Sequence, residues 1–110
     1  MTKSLLTKDV RQEATMLIDA FNKKTLKGST DVFYIPKFKG NFLYLHRKEY
    51  ANISPVARLT YTGDFKKWEF AIFKWSREQY DPEEWFFPGV EHVNGTIEGA
   101  MKAGLVAYPV

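Results

Sequence analysis

Apolar residues in the first quarter of the chain recur at helical spacing. Val10, Ala14, Leu17, Ile18 and Phe21 fall at i, i+4, i+7, i+8 and i+11, one stripe of a helix predicted from about Thr7 to Lys24. Asp9 and Glu13 near its start and Lys23 and Lys24 at its end suit the helix dipole. Ser4 or Thr7 can cap it, and Gly28 ends the segment. From Asp31 to Trp75 the period shortens to that of strands. Val32 to Ile35 is β-branched and aromatic, and Pro36 marks an edge position or a strand end because proline cannot donate to a ladder. A turn at Lys39-Gly40-Asn41 leads into a second strand, Phe42 to Arg47. Asn52 to Pro55 breaks the pattern. Val56 to Thr62 then makes a third strand and Trp68 to Trp75 a fourth, with Gly63-Asp64 turning between them.

Ser76 to Val93 is irregular, with proline and glycine framing an aromatic cluster at Trp85-Phe86-Phe87, and reads as a loop with a short edge strand. Asn94 or Thr96 caps a second helix whose apolar stripe is Ile97, Met101, Gly104, Leu105 and Tyr108, closed by Pro109. Gly99, Ala100, Ala103 and Ala107 form a small-residue strip beside it. Glycine inside a helix costs roughly 1 kcal/mol against alanine, so this strip predicts close packing on the sheet or the first helix. The order is α-β-β-β-β-α in a single domain spanning residues 1–110. This is an α+β fold: a four-stranded antiparallel meander, five-stranded with the edge strand, flanked by two helices packed on one face.

Alternation divides the strands into two faces. Leu43, Leu45, Ala57, Leu59, Tyr61, Ala71, Phe73 and Trp75 make a wholly apolar set, assigned to the helix-covered core. Phe42, Tyr44, His46, Val56, Arg58, Thr60, Thr62, Trp68, Phe70, Ile72 and Lys74 make a mixed set of rings and cations.

Composition sharpens that second face. Aromatic residues make up 16% of the chain, more large rings than one small core encloses, so some lie near the surface or at an interface. The net charge of +3 is uneven: residues 1–50 carry ten Lys or Arg against five Asp or Glu, a surplus of +5, and the remainder is at −2. A basic first half favours polyanions. With no cysteine, disulfides and thiolate metal sites are excluded. No apolar run reaches bilayer or signal-peptide length, so a cytoplasmic bacterial protein without membrane contact is expected.

Searches for catalytic signatures fail. There is no phosphate loop, dinucleotide-binding glycine pattern, H-E-x-x-H or nucleophile elbow, so no cofactor and no metal are expected. His46 and His92 sit in separate segments. Asp81, Glu83 and Glu84 form a carboxylate group beside the aromatic cluster. A carboxylate against Trp85 with a raised pKa would serve as a general acid, whereas the plain reading is a solvated turn.

The stretches Trp68–Ser76 (WEFAIFKWS), Tyr80–Gly89 (YDPEEWFFPG) and Gly95–Gly104 (GTIEGAMKAG) resemble a small uncharacterised bacterial family, a domain of unknown function, over about the C-terminal half. The resemblance implies no reaction, cofactor or catalytic residue. It does imply that the aromatic loop is an intended part of the fold.

The leading expectation is therefore a non-enzymatic binding or assembly module, a homodimer, working through Tyr44, His46, Arg58, Phe70, Lys74, Trp85 and Phe86. One alternative is single-stranded nucleic-acid binding, with bases stacked on rings and phosphates met by Arg58, Lys74, Lys37 and Lys39. The recognition motif of aromatic RNA-binding sheets is absent, and the rings can instead bury against a second subunit or under the Tyr80–Phe87 segment. Another alternative is a small-molecule site or enzyme with Glu83 or Glu84 as acid and His46 or His92 as base.

Overall fold

The computed structural model describes residues 6–84 and 86–109. Helix α1 spans Lys8–Lys24, and Thr7 caps it by accepting a hydrogen bond from Val10 N at 3.2 Å. Ser4, the other predicted cap, lies outside the described residues. Five strands follow: β1 Val32–Lys39, β2 Phe42–Glu49, β3 Asn52–Thr60, β4 Glu69–Lys74 and β5 Gln79–Asp81. They pair antiparallel in chain order, so the sheet is a pure meander with β1 and β5 at its edges. A 3-10 turn at Val90–His92 precedes helix α2, Ile97–Ala107, which Thr96 caps by accepting from Gly99 N at 3.0 Å. None of the helices among the described residues is long and apolar enough to cross a membrane.

Both helices pack on one sheet face. Ala14, Ile18 and Phe21 of α1, Leu43, Leu45 and Leu59 of the strands, and Ile97, Ala100 and Met101 of α2 share one buried cluster. Each of the Leu, Ile, Phe and Met side chains among them contributes about 1.5–3 kcal/mol of apolar transfer energy, which is what holds the two layers together.

Three expectations need correction. The segment Asn52–Pro55, read as a break, lies inside β3. Glu49 pairs with Asn52 across the two-residue turn Tyr50-Ala51, and Pro55 sits at a β-bulge where Leu45 opposes Ala57 and His46 opposes Pro55. The bulge interrupts the ladder locally, so the missing proline N–H is tolerated. Val56 is the extra residue of that bulge. It turns toward the helices and is 1% exposed, although alternation placed it on the mixed face.

The third correction concerns β4, whose faces are the reverse of the prediction. Leu43 pairs with Leu59 and Leu59 with Phe70, so Phe70 and Ile72 point into the helix-covered core together with Trp68. Ala71 and Phe73 lie on the other face, opposite Arg58 and Tyr80. Alternation fails here because Phe70-Ala71-Ile72-Phe73 is apolar on both sides and buried throughout. The irregular connection from Tyr61 to Trp68 also carries no strand phase across.

The predicted close approach of α2 is present. A Cβ on Gly104 would lie 2.6 Å from both Tyr34 Oη and Val56 Cγ1. Gly104→Ala gains about 1 kcal/mol of helix propensity, but overpacking this contact costs roughly 1–3 kcal/mol, so the net change is a loss of up to about 2 kcal/mol. Urea unfolding checks the sign, and a stabilised variant would mean that the helix shifts freely off the sheet.

Candidate functional site

Among the described residues, neither helix covers the second face of the meander. Register places Phe33, Ile35, Lys37 and Lys39 of β1 there, opposite Lys48, His46, Tyr44 and Phe42 of β2. Arg58 of β3 stands opposite Tyr44, and Tyr80 of β5 opposite Phe73. Along the strands of this face the cations are Lys37, Lys39, Lys48 and Arg58, with His46 titratable, and Glu69 is the one carboxylate. Among the described residues no ion pair engages any of these four cations.

The rings form a connected band. Tyr44 lies 5.9 Å from Phe42, 5.4 Å from Tyr80 and 6.5 Å from the stacked imidazole of His46. Tyr80 and Trp75 both pack edge-on against Phe73, which is buried on the face opposite the helices. The Arg58 guanidinium rests against two rings, 4.8 Å from the centroid of Phe42 and 5.5 Å from that of Tyr80. Among the described residues its buried Nε has no hydrogen-bond partner and no carboxylate pairs with it, so the group is held by cation–π contact.

A hollow of about 410 Å³ opens beside this band, lined by Lys37, Phe38, Lys39, Tyr44, His46 and Tyr80. Burial, helped by the Lys37 ammonium, holds the His46 imidazole below its ordinary value of 6.5. Burial likewise raises the Tyr80 phenol, with Tyr44 adding to the effect and Arg58 opposing it. For His46 the folded value lies below the unfolded one. Its contribution is fully present above the unfolded pKa and is lost as the pH falls through the folded one. The native protein should therefore lose more stability on acidification than His46→Gln does. Thermal melts of both across about pH 7 to 5 test this, and parallel curves would refute it.

The predicted residues divide between the two sides of the sheet. Tyr44, His46 and Arg58 come together on the open face. Phe70, Lys74 and Phe86 do not join them. Phe70 stacks on Phe87 at 5.8 Å under the loop. Lys74 pairs with Glu84 at a hollow that Phe86, Phe87 and Tyr108 also line, and Phe86 is almost fully exposed at its rim. Trp85 lies outside the described residues.

Glu83 and Glu84 are not brought together with His46. The side-chain hydrogen bond from Lys74, with a second from the Phe86 N–H, holds the Glu84 carboxyl below the usual carboxylate range, opposite to what a general acid needs. Glu83 is exposed in an Asx turn closed by Asp81, and His46 lines a separate hollow on the other face.

Sequence reading missed Lys48 and Tyr80. The signal for Lys48 was available, because Tyr44, His46 and Lys48 continue one alternation past the point where the strand was ended. Tyr80 had none, since a three-residue strand does not establish a phase. Compared with protein-family models, curated proteins and solved structures, the chain matches none of them.

Proposed function

We propose that this protein is a non-enzymatic binding module whose open sheet face takes single-stranded nucleic acid. The observation that carries the reading is the pairing, on a face that neither helix covers, of a connected ring band with four cations that have no carboxylate partner among the described residues. Rings provide sequence-tolerant stacking for bases, and lysine and arginine meet the phosphates between them.

The same charges disfavour a second copy as the occupant of this face. A two-fold dimer sets a patch against itself, so Lys37, Lys39, Lys48 and Arg58 of both copies would share one interface, with Glu69 as the only strand carboxylate to offset them. A polyanion meets no such penalty. Nothing in this reading calls for a metal, a cofactor or a reaction.

Fluorescence anisotropy of a short labelled oligothymidylate, titrated at low salt, tests it directly. Binding that weakens when Tyr44 is replaced by Ala supports the reading, by about tenfold if one base stacks on that ring. No detectable binding at low salt, where the electrostatic attraction is greatest, ends it. A dimer in sedimentation that dissociates on Tyr44→Glu would instead assign the face to self-assembly.

A further inference from the structure

Beside the open face, a cleft of about 580 Å³ runs from Arg58 to the Val93–Gly95 segment, within the size range of small-ligand sites. β5 pairs only with Ile72–Lys74, so among the described residues no strand lies on the outer side of the Glu69–Ala71 half of β4. Trp68 N–H donates to Gly95 O at 2.7 Å, which fixes the far wall.

The polar groups of this cleft are of both kinds. Arg58 offers a guanidinium held by the Phe42 and Tyr80 rings, with a buried Nε–H that lacks an acceptor. Glu69 offers an exposed carboxylate on the same face, with Thr60 paired beside it. Asn94 lines the opposite wall, and because its Oδ1 already accepts from Thr96, what remains for a ligand is its amide N–H₂. Arg58 and Glu69 share the cleft without forming an ion pair. A bare anion is repelled by Glu69 and a bare cation by Arg58. The occupant must present acceptors and donors together.

We infer that this cleft reads a guanine base within the strand bound on the sheet face, a conclusion that rests on the nucleic-acid reading above. Guanine carries two adjacent acceptors, O6 and N7, that fit the fork of Arg58. It also carries two adjacent donors, N1–H and the N2 amine, that fit a carboxylate such as Glu69. Adenine and cytosine lack the paired donors, and thymine lacks both pairs. Pro82 lines the cleft, and the Tyr80 ring that supports Arg58 lies on the open face, so Arg58 belongs to both.

The test compares four labelled oligonucleotides of equal length: all thymine, and thymine with one central guanine, inosine or 7-deazaguanine. The guanine strand should bind roughly tenfold tighter than all-thymine. Inosine, which lacks the N2 amine, and 7-deazaguanine, which lacks N7, should each give back most of that gain. Glu69→Gln and Arg58→Lys should both lower the guanine-to-thymine ratio. The ligand analogues make the result independent of how either variant folds. Equal binding of all four strands, each still weakened by salt, overturns the guanine cleft and leaves the sheet reading intact. No binding by any of them overturns the sheet reading itself. Free GMP should compete weakly, and competition as strong as that of the guanine oligonucleotide would overturn recognition within a strand.

Discussion

Arg47→Ala is expected to destabilise the fold by about 3–5 kcal/mol, a large share of the total for a domain this size. Arg47 is 1% exposed, on the helix-covered side opposite Tyr34. Its Nε donates to Glu49 Oε2 at 2.9 Å, its Nη1 approaches Tyr34 Oη and Gly104 O, each at 3.4 Å, and its Nη2 donates to Tyr108 O. The guanidinium therefore satisfies carbonyls at the C-terminal end of α2, where a cation also complements the helix dipole. Tyr34 locks the same junction by donating to Met101 O at 2.7 Å. Burial pushes its phenol up to about 12 against the opposing pull of Arg47, so it stays a donor at any ordinary pH. Alanine removes the fork, orphans the carbonyls and opens a cavity. A fall in Tm of at least about 12 °C should follow. Lysine restores the charge but not the planar fork, and should recover only part of the loss. A melting point within a few degrees of native for the alanine variant would show that α2 is anchored by its apolar stripe alone.

The second large effect is on binding. On an all-thymine strand, where no guanine engages Arg58, Lys37, Lys39, Lys48 and Arg58 each neutralise one phosphate, and the logarithm of affinity falls with the logarithm of salt at a slope of about −3. Between about 50 and 200 mM salt that is roughly a fiftyfold loss. Replacing both Lys37 and Lys39 with Ala should flatten the slope by about 1.4, because two counterion-releasing contacts disappear. Both side chains are exposed, so these changes leave the core untouched. A slope near zero in the native protein would mean that the rings act without the cations, and the open face would then need an uncharged partner.

How much of this was legible in the residues varies along the chain for physical reasons. Both helices and their caps could be read because apolar periodicity and side-chain capping are local. Leu43, Leu45 and Leu59 were read as core because polar neighbours alternate with them. The phase of β4 was not legible, since a strand apolar on both sides offers no contrast. Arg47 was not singled out at all. An arginine at the end of an alternating strand gives no local sign that a helix terminus will close over it. The candidate site was half visible: Tyr44, His46 and Arg58 belong to strands whose alternation is clear, whereas Phe70 and Lys74 inherited the error in β4.

The amino-acid sequence by itself determined an α+β chain of two amphipathic helices around an antiparallel meander, rich in rings and basic in its first half. Those properties follow from interactions between residues a few positions apart. Only the tertiary structure decided which face stays uncovered and that the bulge at Pro55 turns Val56 inward. It also decided that β5 stops short of Glu69, leaving Arg58 and Glu69 unpaired at one cleft. Each of these depends on register between segments far apart in sequence, and register is set by packing against the helices rather than by any residue's own preference.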